Sequence, residues 1–112
     1  MDKLKKYRKV LQNIILKHAS YKPINEGIEP LPICDSLRDE YLLMDVGWEK
    51  GERRSHEIVF HFRINNGKIY IEADNTDAQI INELTNAGIT KDDIVLAYYP
   101  IAKRQTLDFA IA

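Results

Sequence analysis

The sequence predicts an α+β fold: an N-terminal amphipathic helix, an antiparallel β-meander, a second helix and one or two C-terminal strands. Three observations carry that prediction. Apolar residues recur at steps of three and four up to Ser20, the period falls to two between Glu40 and Ala73, and a helical period returns after Thr76.

Leu4, Tyr7, Leu11, Ile14, Ile15 and His18 fall on one arc of a helix from about Asp2 to Ser20, with Lys6, Lys9, Asn13 and Lys17 opposite. Tyr21 to Arg38 follows as a connector whose Pro23, Gly27, Pro30 and Pro32 forbid a continuing helix, leaving one short extended piece around Leu31 to Cys34. A connector of this length is a functional loop or a strap packed along the core.

From Glu40, Leu42, Met44, Val46 and Trp48 alternate with Tyr41, Leu43 and Asp45. Glu49-Lys50-Gly51-Glu52 then turns the chain, and His56, Ile58, Phe60, Phe62 and Ile64 form a second apolar row. Asn66-Gly67 is a preferred type I′ pair, because both turn positions need positive φ. A two-residue loop there sets Ile64 opposite Ile69 and Phe62 opposite Ile71. The meander Glu40 to Ala73 thus has one apolar face and another carrying His61, Arg63, Tyr70 and Glu72. Thr76 with Gln79 reads as a capping box, Ala78, Ile80, Ile81, Leu84 and Ala87 as the stripe of the second helix, and Gly88 as its C′ residue. Thr90 and Asp93 read as a shorter cap before an extended Ile94 to Tyr99. Lys103-Arg104-Gln105 turns the chain into a last extended stretch, Leu107 to Ile111.

At 112 residues the chain reads as a single domain, 1–112, large enough to bury a core without disulfides or metals. Its 16 basic and 17 acidic residues conceal a split: the stretch from Met1 to Lys22 holds seven basic residues and one acid, so the remainder carries −7. The single Cys34 cannot form an intramolecular disulfide, which fits a reducing cytoplasm. Lysines interrupt the N-terminal stretch where a signal peptide needs an apolar centre. The longest apolar run, Ile94 to Ala102, is nine residues and contains Pro100, against the roughly 18–20 a membrane span requires.

In the Asn66-Gly67 register His61 lies across from Glu72, with Asp74 two residues on, a set able to orient a proton transfer or ligate a metal. Opposite charges also pair across solvated strands merely for stability, and neither a nucleophile nor a repeated His/Cys spacing accompanies these three. The structural reading is therefore preferred, and no catalytic residue, metal or cofactor is predicted. His18 and His56 read as packed or hydrogen-bonded residues at the core edge, and Trp48 as a core corner beside a turn, with an interface anchor as the alternative. Gly67-Lys68 is no phosphate loop, because Phe62 stands where such a loop needs glycine. Asp45, Glu57, Glu72 and Asp74 lack the lysine of a nuclease cluster, since Glu72-Ala73-Asp74 has none. The lysine stripe Lys6, Lys9 and Lys17, together with Arg53 and Arg54 at a turn, can attract phosphates, an acidic partner or acids of the same chain.

Tyr41-Leu-Leu-Met-Asp-Val-Gly47-Trp48, Arg53, His61, Gly67-Lys68-Ile69-Tyr70-Ile71, Asp74-x-Thr76-Asp77, Glu83-Leu84, Gly88-Ile89-x-Lys91-x-Asp93-Ile94-Val95-Leu96 and Arg104…Asp108-Phe109-Ala110 together resemble the XisI-like proteins, the cyanobacterial excision controlling factors. The match spans nearly the whole chain. It departs from the usual pattern at Tyr70 and Glu72, where that pattern has Trp and Gln, and at Tyr98 to Ile101, where it has Phe-His-Pro-Pro. The resemblance implies an accessory role in excising a DNA element during heterocyst differentiation, alongside a separate recombinase and a protein partner, XisH. It implies no catalytic residues in this chain. Direct DNA binding through the basic helix is the alternative function, and a small enzyme or metal protein built on His61, Glu72 and Asp74 is the second. Strand edges and exposed tyrosines also invite a twofold homodimer. No membrane association is expected.

Overall fold

The computed structural model describes residues 2–21, 27–76 and 78–112. Helix α1 (Lys3–Ala19) precedes strands β1 (Ile28–Asp35), β2 (Glu40–Glu49), β3 (Arg53–Asn65) and β4 (Lys68–Asp74). Helix α2 (Ile80–Asn86), a 3₁₀ turn at Lys91–Asp93, strand β5 (Ile94–Leu96) and a single helical turn, α3 (Ile101–Arg104), complete the chain. The sheet has the order β1-β2-β3-β4-β5; its first three pairings are antiparallel and β4–β5 is parallel. A parallel pair needs a crossover, and the segment containing α2 supplies it.

Helix α1 forms where the apolar spacing places it. Asp2 caps its start by accepting the Leu4 N–H at 3.0 Å, and Tyr7, Leu11, Ile14 and Ile15 are buried. They meet Tyr41 and Leu43 of β2, Phe60 and Phe62 of β3, Ile69 and Ile71 of β4, Ile94 and Leu96 of β5, and Ile80, Leu84 and Ile89 around α2. The core therefore lies on one side of the sheet. Gly88, at φ +93°, closes α2 as predicted: the Ile89 N–H reaches the Leu84 carbonyl and the Gly88 N–H that of Thr85, a Schellman pair with Leu84 and Ile89 both buried.

Several expectations need correction. The connector holds a full eight-residue strand, β1, rather than a short piece around Leu31 to Cys34; the part of the strap at 22–26 lies outside the described residues. Pro30 and Pro32 are compatible with a strand because β1 is the sheet edge, where a missing N–H costs no ladder bond on the open side. The predicted capping box does not form. Gln79 occupies the N-cap in the left-handed region with no side-chain bond, while the Thr76 hydroxyl accepts from the Ala78 N–H and donates to Asp74. The extended stretch Ile94 to Tyr99 is only the three-residue β5, and the turn predicted at Lys103-Arg104-Gln105 overlaps α3. The final stretch contributes one parallel bridge, Ala110 to Val95, in place of a strand.

A further correction concerns which face of β2 is buried. Tyr41 and Leu43 point into the core, whereas Leu42, Met44 and Val46 are only partly covered and Trp48 is 50% exposed. The reason is a bulge: Leu43 pairs with Phe60 but Met44 with Ile58, leaving Val59 as an extra residue on β3. The apolar rows that alternation assigns to β2 and to the start of β3 thus lie on the side away from the helices. His56, expected at the core edge, is exposed.

The start of β1 and the end of β2 meet backbone to backbone at Gly47, which has φ +148°. A Cβ there would stand 1.9 Å from the Gly27 carbonyl oxygen, the acceptor of the Trp48 N–H. Gly47→Ala is expected to cost about 2–3 kcal/mol and to lower Tm by roughly 10 °C, read by thermal unfolding. A melting temperature within about 2 °C of wild type would contradict this close approach.

Candidate partner-binding surfaces

Three carboxylates from three connecting segments hold the basic helix. Asp93, in the turn before β5, lies 3.2 Å from Lys3 Nζ and accepts a hydrogen bond from the Tyr7 hydroxyl. Asp39, in the β1–β2 turn, receives Arg8 through two nitrogens at 2.8 and 3.1 Å and the Tyr41 hydroxyl at 3.2 Å. Glu83 of α2 takes Lys17 at 3.1 Å and His18 Nε2 at 2.7 Å. His18 also packs edge-on against Phe60 at 5.2 Å, which bears out its reading as a hydrogen-bonded core-edge residue. Lys6 Nζ lies 3.4 Å from the Gly88 carbonyl, and Lys9 is exposed.

Burial pushes the Tyr7 hydroxyl up to about 12, with the Asp93 hydrogen bond adding to it. Burial, followed by the charge of Asp39, does the same to Tyr41. At Asp93 burial acts upward, but the Tyr7 hydroxyl and Lys3 outweigh it and hold the carboxyl below its ordinary range.

The sheet face away from the helices carries the second set of predicted residues. The expected pairing of His61 with Glu72 is displaced by a bulge, this time on β4. Phe62 pairs with Ile71 and Ile64 with Ile69 as predicted, but His61 pairs with Ala73 and leaves Glu72 unmatched. His61 Nε2 instead lies 2.7 Å from Glu40 Oε1. Arg63 bridges the two acids, at 2.9 Å from Glu40 and 3.5 Å from Glu72. Tyr70 stands opposite Arg63 on the same face. Asp74 falls opposite Phe60, on the helix side, and accepts from the N–H and hydroxyl of Thr76. His61, Glu72 and Asp74 therefore do not converge. Among the described residues, no three of His, Cys, Asp and Glu are gathered closely enough to hold a metal ion. The residue that sequence reasoning missed is Glu40. Its partnership with His61 and Arg63 depends on the Val59 bulge, which neither turn signals.

Arg53 and Arg54 sit at the far end of the β2–β3 hairpin. Arg53 lies 3.8 Å from Glu49, and the Arg54 guanidinium stands over the Trp48 ring at 5.5 Å and near the Gly47 carbonyl. Trp48 is thus a partly exposed platform for an arginine and not a core corner. The five basic candidates divide between α1 and the tip of the β2–β3 hairpin. Between strands on the helix side of this arm, Asp45 faces Glu57, and burial together with that neighbouring charge raises the Asp45 carboxyl. At the C-terminal end, Arg104 gathers the carbonyls of Ala97, Tyr99 and Ile111, leaving Tyr98 41% and Ile101 56% exposed.

The helix-over-sheet α+β domain leaves apolar side chains exposed at Trp48, Tyr98 and Ile101. The XisI protein family matches residues 1–111, and the chain belongs to that family. Two solved structures from the cyanobacterium Anabaena variabilis are similar to it. The fdxN element excision controlling factor XisI shares 38% identity over 99% of this chain and 100% of its own, with a TM-score of 0.85. A XisI-like protein shares 34% identity over 97% of this chain and 99% of its own, with a TM-score of 0.90. Among curated proteins no relative matches. No helix among the described residues is long and apolar enough to cross a membrane.

The raised tyrosines predict an alkaline instability. A folded-state pKa above the unfolded value of about 10 contributes stability that is complete below pH ~10 and is lost as pH rises through 12. The loss is on the order of 2 kcal/mol per tyrosine. Tyr7→Phe is expected to cost about 1 kcal/mol at neutral pH and to flatten the alkaline limb of a denaturant-unfolding series. An unchanged slope between pH 9.5 and 12 in that variant would show that Tyr7 does not set it.

Proposed function

We propose that this chain is a non-catalytic regulatory factor in the excision of a DNA element, acting in the cytoplasm by binding a protein partner that resembles XisH. Family membership and the name of a structural relative at 38% identity support the regulatory role. The observation that carries the protein-partner reading is how the charges of α1 are used. Lys3, Arg8 and Lys17 are matched to carboxylates of the same chain, while the exposed residues of the C-terminal turn, Tyr98 and Ile101, are apolar. Side chains of that kind are surfaces for protein, whereas phosphate backbones are bound by unmatched cations.

Direct DNA binding is the weaker reading. Of Lys6, Lys9, Lys17, Arg53 and Arg54, Lys17 and Arg53 are ion-paired and Arg54 is engaged with Trp48 and Gly47. A catalytic role for His61, Glu72 and Asp74 has less support still, because each is bound to a different neighbour.

Co-expression with an XisH-like protein is expected to give a complex that survives moderate salt. Tyr98→Ala combined with Ile101→Ser should weaken it by about tenfold, and charge reversal at Lys6 and Lys9 should leave it intact. Failure of the two proteins to co-purify would overturn the proposal. Retention on DNA that falls steeply with salt and is abolished by the Lys6 and Lys9 reversals would favour the DNA reading instead.

A further inference from the structure

We propose that the arm of the β2–β3 hairpin beyond the Val59 bulge is tightened by acid: Asp45 and Glu57 repel one another across the strands at neutral pH and hold a single proton between them when pH falls. The register sets these two residues directly opposite, on the helix side of the arm. Directly opposed side chains have Cβ atoms about 4.5–5.5 Å apart, and like charges there weaken the pairing of their strands. With one proton bound, the carboxyl hydroxyl of one residue donates to the carboxylate of the other, and repulsion becomes a hydrogen bond.

Asp45 is partly buried and, among the described residues, has neither an ion pair nor a hydrogen bond, whereas the partly buried Asp39, Glu40, Glu83 and Asp93 each meet a cation. On the helix side its neighbours are Pro30 of β1, Leu43 and Gly47 of β2, and Ser55 and Glu57 of β3. The other charged or titratable groups at this level point to the opposite face, because Glu29 and His56 pair with Val46 and Arg54 pairs with Trp48. From the helix layer, α1 ends near Phe60, the partner of Leu43. There Lys17 and His18 are turned to Glu83, and Tyr21 lies against His18. Asp74 of β4, opposite Phe60, is bound to Thr76. Burial pushes the Asp45 carboxyl up, and Glu57 is the one charge that adds to it.

The pair stands where the hairpin can respond. Toward the core the Val59 bulge interrupts the β2–β3 ladder; toward the tip lie the Gly47 contact and the exposed Trp48 beneath Arg54. Repulsion between Asp45 and Glu57 therefore acts on whether β3 stays closed against β2 in the segment that carries the tip. A carboxyl raised on folding contributes stability that is complete below its unfolded value of about 3.9 and is lost as pH rises through its folded value. Asp93, held low, behaves in the opposite sense, and its contribution is lost in acid. Acid thus tightens the arm while loosening the seat of α1, and comparison with a variant at the same pH separates the two.

The test uses the chain alone, so its outcome is separate from that of the partner proposal. At pH 7, Asp45→Asn should slow amide hydrogen exchange across 53–58 about fivefold relative to the unsubstituted chain and raise Tm by about 3 °C. Toward pH 4 both differences should vanish. Glu57→Gln should act in the same direction by less, because Glu57 is exposed, and should add nothing once Asp45→Asn is in place. In a carbon-13 titration of the side-chain carboxyls, Glu57→Gln should lower the midpoint of Asp45. An arm that exchanges as fast at pH 7 after Asp45→Asn, a gain of equal size at pH 4 and pH 7, or an Asp45 midpoint indifferent to Glu57→Gln would each overturn the inference.

Discussion

Helix α1 stays on the sheet through a constraint that is partly apolar and partly ionic. Tyr7, Leu11, Ile14 and Ile15 lie on the longest helix among the described residues, and without it Phe60, Phe62, Ile69 and Ile71 would lose part of their cover on the helix side. Burial alone sets no register along the helix axis. Asp93, Asp39 and Glu83 do, because each meets a cation and a neighbouring hydroxyl or imidazole at a different height along α1. Exposed ion pairs contribute little singly. Here three acids distributed along one helix specify where it lies, and the layer beneath depends on that placement.

The same pairing explains the near-zero net charge. A basic N-terminal helix and an acidic remainder are not two independent surfaces: Lys3, Arg8 and Lys17 of the first meet Asp93, Asp39 and Glu83 of the second, while Lys5, Lys6 and Lys9 stay exposed. The outside also carries a sheet face and a C-terminal turn with exposed apolar residues, among them Trp48 and Ile101. The bulges at Val59 and Glu72 create that division of labour, since each reassigns which side chains of β2, β3 and β4 look toward the helices.

Much of the fold was legible because local signals were strong. Lysine and apolar spacing located α1, Asn66-Gly67 set the β3–β4 register for four successive pairs, and Gly88 marked the end of α2. β1 was hidden because two prolines argue against a strand unless its edge position is known. β5 and the tail were overextended because three buried residues and one bridge leave too short a pattern to bound. The polar face was legible only in part. His61, Arg63 and Tyr70 were placed on it correctly, but Glu40 and Asp74 exchanged roles there, since a one-residue bulge inverts facing and leaves no trace in residue type. Trp48 and the β2 row were misassigned inward for the same reason: both faces of β2 are apolar, and alternation does not say which is covered.

The distance in sequence between α1 and its anchors bears on how the chain emerges during synthesis. Tyr7 and Asp93 are 86 positions apart, and His18 and Glu83 are 65 apart. The helix is made before the meander, and its last matching carboxylate, Asp93, follows Tyr7 by 86 positions. Until Asp93 is made, α1 is a cationic amphipathic helix without its full set of carboxylate partners, while the meander forms from contacts close in sequence. The full set of contacts that seats α1 on the sheet therefore waits on the turn that precedes β5.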